Sequence, residues 1–96
     1  MIKEYQEGIY AIREIWEKEK LISKHYYIDG KLHRNDDLPA IEDYYNGTKW
    51  WLQYGKYHRL NGPAIEDANG MNHYWINDIK YNEEEYWRII NLIGFI

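Results

Sequence analysis

Two histidine-arginine dipeptides are the residues of this chain best suited to chemistry. They are His33-Arg34 and His58-Arg59, and each stands in the same five-residue context, GKxHR. A histidine titrates near neutral pH and can act as a general base, while a neighbouring arginine can bind an anion. An active site needs a unique constellation, whereas these dipeptides recur with their whole surroundings. The duplication therefore favours a structural role.

The dipeptides belong to an internal repeat of about 24 residues, which organises the chain. Its recurring blocks are GKxHR at 30–34 and 55–59, PAIED at 39–43 and 63–67, Asn-Gly at 46–47 and 69–70, and aromatic pairs at 26–27, 50–51 and 74–75. A third copy decays after residue 76, and residues 8–19 read as a degenerate copy that precedes the first complete one. Within this frame we expect each histidine to bond a loop carbonyl and each arginine to pair with a carboxylate such as Asp43 or Asp67.

Composition excludes several other kinds of site. The chain has 96 residues, a net charge of −4 and no cysteine, which argues against general nucleic-acid binding and against thiolate chemistry. The four histidines do not have zinc-ligand spacing, and no phosphate-binding or nucleophile motif is present. We therefore predict no catalytic residues, no metal, no cofactor and no enzymatic activity. No signal peptide or membrane span is recognisable, so a cytoplasmic location is expected.

Each repeat is predicted to form a β-hairpin, so that the fold is mainly β: an antiparallel meander over residues 9–81 within a single domain, 1–96. Asn-Gly is a strong signal for a two-residue hairpin turn. The predicted strands are 9–16, 21–28, 39–45, 48–54, 63–67 and 71–77. A capping helix is expected in the segment 82–94, with Asn82 as N-cap, Glu85 completing a capping box, and Gly94 ending the helix.

Alternation along the return strands predicts two different sheet faces. The core face should carry Tyr26, Ile28, Trp50, Leu52, Tyr74 and Ile76, covered by the helix stripe Tyr86, Ile89, Ile90 and Ile93. The opposite face should carry a wetter aromatic row formed by Tyr27, Trp51 and Trp75. These rings could bind a partner or could be covered by the His-Arg loops of their own repeats.

The repeat pattern resembles the variant MORN repeats of bacterial and viral proteins. The resemblance covers about residues 21 to 81 and includes the aromatic pair, Gly-Lys-x-His-Arg, Pro-Ala-Ile and Asn-Gly. The first copy departs from it, with Asp37-Leu38 before its proline where the second copy has Gly62. The resemblance implies a β-hairpin repeat fold and a binding role, and it implies no reaction.

The functional expectation is stoichiometric binding of a protein partner. Candidate binding residues are Tyr27, Trp51, Trp75, His33, Arg34, His58, Arg59, Glu66 and Asp67. The repeated acidic residues suit a partner with a basic surface, although a solvated strand edge explains them too.

The chain has 14 isoleucines and no valine, which indicates an AT-rich genome. A narrower hypothesis is therefore a small, anti-CRISPR-like phage inhibitor of a host defence system. The alternative is a nucleotide or sugar binder that uses the aromatic row and the His-Arg loops. The pattern leaves the oligomeric state open.

Overall fold

A computed structural model describes residues 1–94, which form an antiparallel β-meander followed by one helix. The elements are β1 Ile2–Glu7, β2 Tyr10–Glu17, β3 Lys20–Ile28, β4 Lys31–Leu32, β5 Ile41–Asp43, β6 Lys49–Trp50, β7 Leu52–Gln53, β8 Lys56–Tyr57, β9 Ile65–Glu66, β10 Asn72–Ile76, β11 Ile79–Tyr81 and α1 Glu83–Leu92. The main sheet runs in the order β1-β2-β3-β5-β6-β9-β10-β11, with β4 paired to β3, while β7 and β8 form a separate ladder. The mainly-β fold with a C-terminal helix is confirmed.

The first strand, β1, lies ahead of the predicted start of the meander. It pairs along its whole length with β2, from Ile2 opposite Ile15 to Glu7 opposite Tyr10. All six of its residues are exposed. Because neither face of β1 is buried, its sequence has no hydrophobic alternation that would have indicated a strand.

The turns differ from those predicted. Asn46-Gly47 does not form a two-residue turn: the Asp43 N–H donates to the Thr48 carbonyl, closing a four-residue loop in which Gly47 has φ 86°. In the second copy the Asp67 N–H donates to the Met71 carbonyl and closes a loop one residue shorter. Turns with two consecutive positive-φ residues lie instead at 18–19, 29–30, 36–37, 54–55 and 77–78.

This one-residue difference in loop length sets which aromatic residues share a face. Ile41 pairs with both His25 and Trp50, and Ile65 pairs with both Trp50 and His73. Directly paired residues lie on the same side of a sheet. His25, Trp50 and His73 therefore form one row.

Tyr26, Trp51 and Tyr74 form the corresponding row on the other side, and all three are buried, with exposed fractions of 5%, 6% and 8%. The predicted faces were therefore wrong for Trp50 and Trp51 of the middle copy, which exchange places because a slip of one residue reverses the faces of a strand. Leu52 is buried, as predicted. We call the side with Tyr26, Trp51 and Tyr74 the arginine face, after the side chains that cover it. The side with His25, Trp50 and His73 is the groove face.

The helix packs on the arginine face at the C-terminal end of the sheet. Asn82 caps it: its side chain accepts from the Glu85 N–H, and the Glu85 carboxylate accepts from the Asn82 N–H. Tyr86 and Ile90 are fully buried, and the Tyr86 ring lies 4.8 Å from the ring of Tyr74. The predicted capping box and most of the apolar stripe are confirmed. Ile93, the last predicted member of the stripe, is the C-cap of the helix and is 57% exposed.

We predict that Tyr86→Phe destabilises the protein by about 1–3 kcal/mol. The Tyr86 hydroxyl donates to the Arg59 carbonyl and accepts from the Gly62 N–H, and both of those backbone groups would lose a partner. Urea unfolding followed by circular dichroism measures the loss. Tyr81→Phe is the matched control, because Tyr81 packs on the same core from the preceding strand. Equal unfolding free energies for the two variants would contradict the prediction.

Candidate functional site

Arginine side chains stack on the buried aromatic rings of the arginine face. The Arg34 guanidinium carbon lies 3.9 Å from the centre of the Tyr26 ring, and that of Arg59 lies 3.8 Å from the centre of the Trp51 ring. A planar guanidinium covers an aromatic ring while keeping hydrogen-bonding edges free. The third copy has no His-Arg dipeptide, and there the Tyr86 ring of the helix covers Tyr74 instead.

The histidines tie each repeat to the turn of the next one. His33 Nδ1 accepts a hydrogen bond from the Tyr54 N–H at 3.0 Å, and His58 Nδ1 accepts from the Asn77 N–H at 3.1 Å. Tyr54 and Asn77 are the first residues of equivalent positive-φ turns. The expected partner was a loop carbonyl. Nδ1 of each imidazole instead accepts from an amide that a tight turn leaves unpaired, while His33 Nε2 bonds the side-chain oxygen of the loop residue Asn35 at 2.7 Å.

The arginines also pair with carboxylates, but not with the two that were expected. Arg34 contacts Glu42 at 3.2 Å. Arg59 contacts Glu66 at 3.3 Å and reaches back to Asp37 of the preceding repeat at 2.8 Å. Burial acts to raise the pKa of Asp37, but hydrogen bonds from Arg59 and Asn61 outweigh it, so that the pKa is lowered overall. The first dipeptide thus contacts the following repeat, and the second contacts both of its neighbours, which is the structural role that their duplication favours.

A ladder of alternating charge crosses the arginine face. Successive paired residues from β1 to β10 are Lys3, Glu14, Lys24, Glu42, Lys49, Glu66 and Asn72. Opposite charges directly across a strand pair are mutually stabilising. Glu66, one of the predicted binding residues, belongs to this ladder and contacts Arg59.

The groove face holds an open depression of about 450 Å³ between the second and third copies. Two half-buried tryptophans lie in it, together with a histidine, an acid and a lysine. The His73 Nε2 atom is 3.8 Å from an Asp67 carboxylate oxygen. The lining residues are Asn46, Thr48, Trp50, Ile65, Asp67, His73, Trp75 and Lys80.

Trp75 is held in the depression by its neighbours. Its ring lies 5.3 Å from the ring of Tyr57, and it is paired across the strands with Lys80. Its Nε1–H is buried and has no hydrogen-bond partner among the described residues. A buried donor without an acceptor is costly unless something else supplies one.

The structure separates the predicted binding residues into two groups. Tyr27, Trp75 and Asp67 lie on the groove face, although Tyr27 pairs with Ala11 and Leu32 outside the depression. The remaining predicted binding residues do not lie with them on the groove face; these are Trp51, the two His-Arg dipeptides and Glu66. Trp51 is buried under Arg59, and its Nε1–H donates to the Asp37 carbonyl at 3.0 Å. It therefore offers no exposed ring.

Sequence reasoning missed Trp50, His73 and Lys80 as members of this surface. The signal that could have found Trp50 is the spacing itself: Asp43 and Asn46-Gly47 are separated by one residue more than Asp67 and Asn69-Gly70. An extra loop residue moves the return strand by one position and reverses its faces.

Comparisons with protein-family models, with curated proteins and with solved structures find no match. The resemblance to variant MORN repeats stays a prediction. Within residues 1–94, no group of three or more His, Asp or Glu side chains could hold a metal ion. No helix in that part of the chain combines the length and the apolar character that crossing a bilayer requires.

The histidine of the second dipeptide should make stability depend on pH. Burial lowers the pKa of His58 from its ordinary value of 6.5, and the neutral ring is the form that accepts from Asn77. The unfolded chain binds the proton first as the pH falls. The stabilisation that neutral His58 contributes is therefore present above about pH 6.5. It is lost as the pH falls through the pKa of His58 in the folded protein, which is lower than that in the unfolded chain.

We predict that His58→Asn reduces this dependence, because an amide oxygen can accept the same hydrogen bond without titrating. The measurement compares unfolding free energies at pH 7.5 and pH 5.5 for both proteins. His25, whose pKa is lowered by burial and by Arg13, keeps its contribution in both and acts as an internal reference. An unchanged pH dependence would show that His58 does not couple to folding.

Proposed function

We propose that this protein acts by stoichiometric, non-catalytic binding of a protein partner through the groove face, in a cytoplasm. The observation that carries the proposal is the pairing of Trp50 and Trp75 in one open depression beside polar side chains. Tryptophan is enriched in the energetically dominant contacts of interfaces, since a rigid ring buries a large area at low entropic cost. The arginine face is less suited to this role, because its rings are already covered.

The charges around the depression favour a basic feature on the partner. The protein carries a net charge of −4, and Asp67 lies at the wall of the depression with a side chain that is 40% exposed. Its contact with His73 is long, at 3.8 Å, which leaves oxygen lone pairs for an incoming cation. A lysine or arginine of the partner would pair with Asp67 while apolar atoms cover the tryptophans.

A phage inhibitor of a host defence protein remains the narrower form of this proposal. It is supported by the small size and acidity of the chain and by the AT-rich coding that its isoleucine content indicates. An inhibitor of this kind needs only an interface, and a rigid sheet with an aromatic depression supplies one without a catalytic group.

A small ligand is the second candidate, and the size of the depression favours it. A volume of about 450 Å³ falls within the range of small-molecule sites. Aromatic rings beside Asp, Asn and His side chains suit the stacking and hydrogen bonding of a sugar or a nucleobase. Titrating the protein with monosaccharides and nucleotides while following tryptophan fluorescence separates this candidate from the first.

We predict that the double variant Trp50→Ala with Trp75→Ala loses at least about 30-fold in affinity for the partner, since each buried anchor residue commonly contributes more than about 1 kcal/mol. The partner is captured from the source cell, purified, and titrated to a stoichiometric plateau by calorimetry. Circular dichroism and a urea melt verify that the variant is folded.

Leu92→Ala is the matched control, because Leu92 is a large exposed apolar residue on the helix, which packs on the opposite side of the sheet. It should bind as the unaltered protein does. If the double variant is folded and binds with full affinity, the partner does not use the groove face. A more conservative variant, Asp67→Asn, should weaken binding and reduce its salt dependence.

A further inference from the structure

The outer edge of β1 is an unpaired strand edge at the end of the sheet. β1 pairs with β2 on one side, and no strand within residues 1–94 pairs with the other side. All six residues from Ile2 to Glu7 are exposed. At the opposite end of the sheet, the chain turns from β11 into the capping helix. An exposed edge presents free backbone donors and acceptors to another strand.

The hairpin geometry fixes which backbone groups point outward. Glu7 and Tyr10 close a two-residue turn, so that their backbone groups bond each other. Hydrogen-bonded residue pairs recur at every second position along such a hairpin. Met1 and Trp16 fit this pattern, because the backbone nitrogen of each donates to the carbonyl of the other at 2.8 Å. Odd-numbered residues of β1 therefore bond β2. The free N–H and C=O groups of the outer edge belong to Ile2, Glu4 and Gln6.

A second strand can form hydrogen bonds with these backbone groups only if it pairs in the right register. In a two-fold antiparallel pairing of β1 with its own copy, outward groups must meet outward groups. With Tyr5 at the two-fold axis, Glu4 faces Gln6 of the second copy, and their backbones exchange hydrogen bonds on both sides of the axis. The same register places Lys3 opposite Glu7 twice, with the two Tyr5 side chains in contact at the centre.

The neighbouring allowed registers lack this complementarity. With the axis at Glu4, the two Glu4 side chains face each other, and like charges directly opposite are destabilising. With the axis at Lys3, two lysines meet in the same way. The Tyr5-centred register alone pairs opposite charges, and it continues the alternating ladder of the arginine face, in which Lys3 already follows Glu14.

We propose that this protein self-associates through β1, forming a two-fold dimer centred on Tyr5. The axis is perpendicular to the sheet, because antiparallel pairing keeps equivalent faces on the same side. The dimer is one continuous sheet with both groove faces on one side, and it is therefore bivalent toward a partner that carries two sites. A single strand pair is a small interface, and so the association is weak and concentration-dependent.

Cross-linking tests the register directly, because the protein contains no cysteine. Tyr5→Cys places two sulfur-bearing residues opposite each other in a non-hydrogen-bonded pair, where the α-carbons are about 4.5 Å apart. Mild oxidation at about 0.5 mM protein should convert most of this variant to a disulfide-linked dimer. Lys3→Cys is the matched control: it lies on the same strand and the same face, but it meets Glu7, and it should cross-link far more slowly.

Charge exchange tests the pairing in solution. Sedimentation equilibrium of the full chain, up to about 1 mM, should show a dimer that Glu7→Lys weakens at least tenfold and that Lys3→Glu combined with Glu7→Lys restores. Gln6→Pro removes an outward N–H without touching a bond to β2 and should abolish the dimer. A protein that is monomeric at 1 mM, or equal cross-linking at positions 3 and 5, would overturn the proposal. If a charge variant fails to fold, the cross-linking comparison decides.

Discussion

The stacking of arginine on buried aromatic rings is the interaction on which the rest of this structure depends. A sheet needs a second layer over its apolar face, but the only helix among the described residues covers only the last copy. In the two preceding copies the guanidinium groups of Arg34 and Arg59 lie on the rings of Tyr26 and Trp51. Each guanidinium also bonds a carbonyl and a carboxylate, so that each half-buried charged group has hydrogen-bond partners.

Those hydrogen bonds turn the covering layer into the connection between repeats. Arg59 reaches back to Asp37, while the adjacent histidine accepts from the turn of the following strand pair at Asn77. One dipeptide thus fixes both neighbours of its repeat. This explains why a residue pair that could serve catalysis recurs with its surroundings. The arginine bonds carboxylates and a carbonyl, and the histidine accepts from a backbone amide, so that the proposed binding surface is assigned to the opposite face of the sheet.

A single residue of loop length decides which tryptophan is available on that face. The loop after Asp43 is one residue longer than the loop after Asp67, and the pairing of Trp50 with Ile41 and Ile65 follows from it. Had the two loops been equal, Trp51 would have taken the place of Trp50 on the groove face. Local turn closure, rather than the apolar character of either tryptophan, sets the composition of the proposed interface.

The sequence by itself determined the repeat, the antiparallel hairpins and the capped helix, because these depend on local signals: recurring blocks, turn residues, and the Asn82 and Glu85 capping box. It did not determine β1, whose residues are all exposed and therefore lack an apolar period. Alternation alone could not assign Trp50 and Trp51 to their faces, since both are large aromatic residues and their assignment depends on how the loop after Asp43 closes and which residues then pair across the strands. The partners of His33, Arg34, His58 and Arg59 were likewise decided by tertiary structure, because the groups that they bond come from neighbouring repeats and loops brought close only by folding.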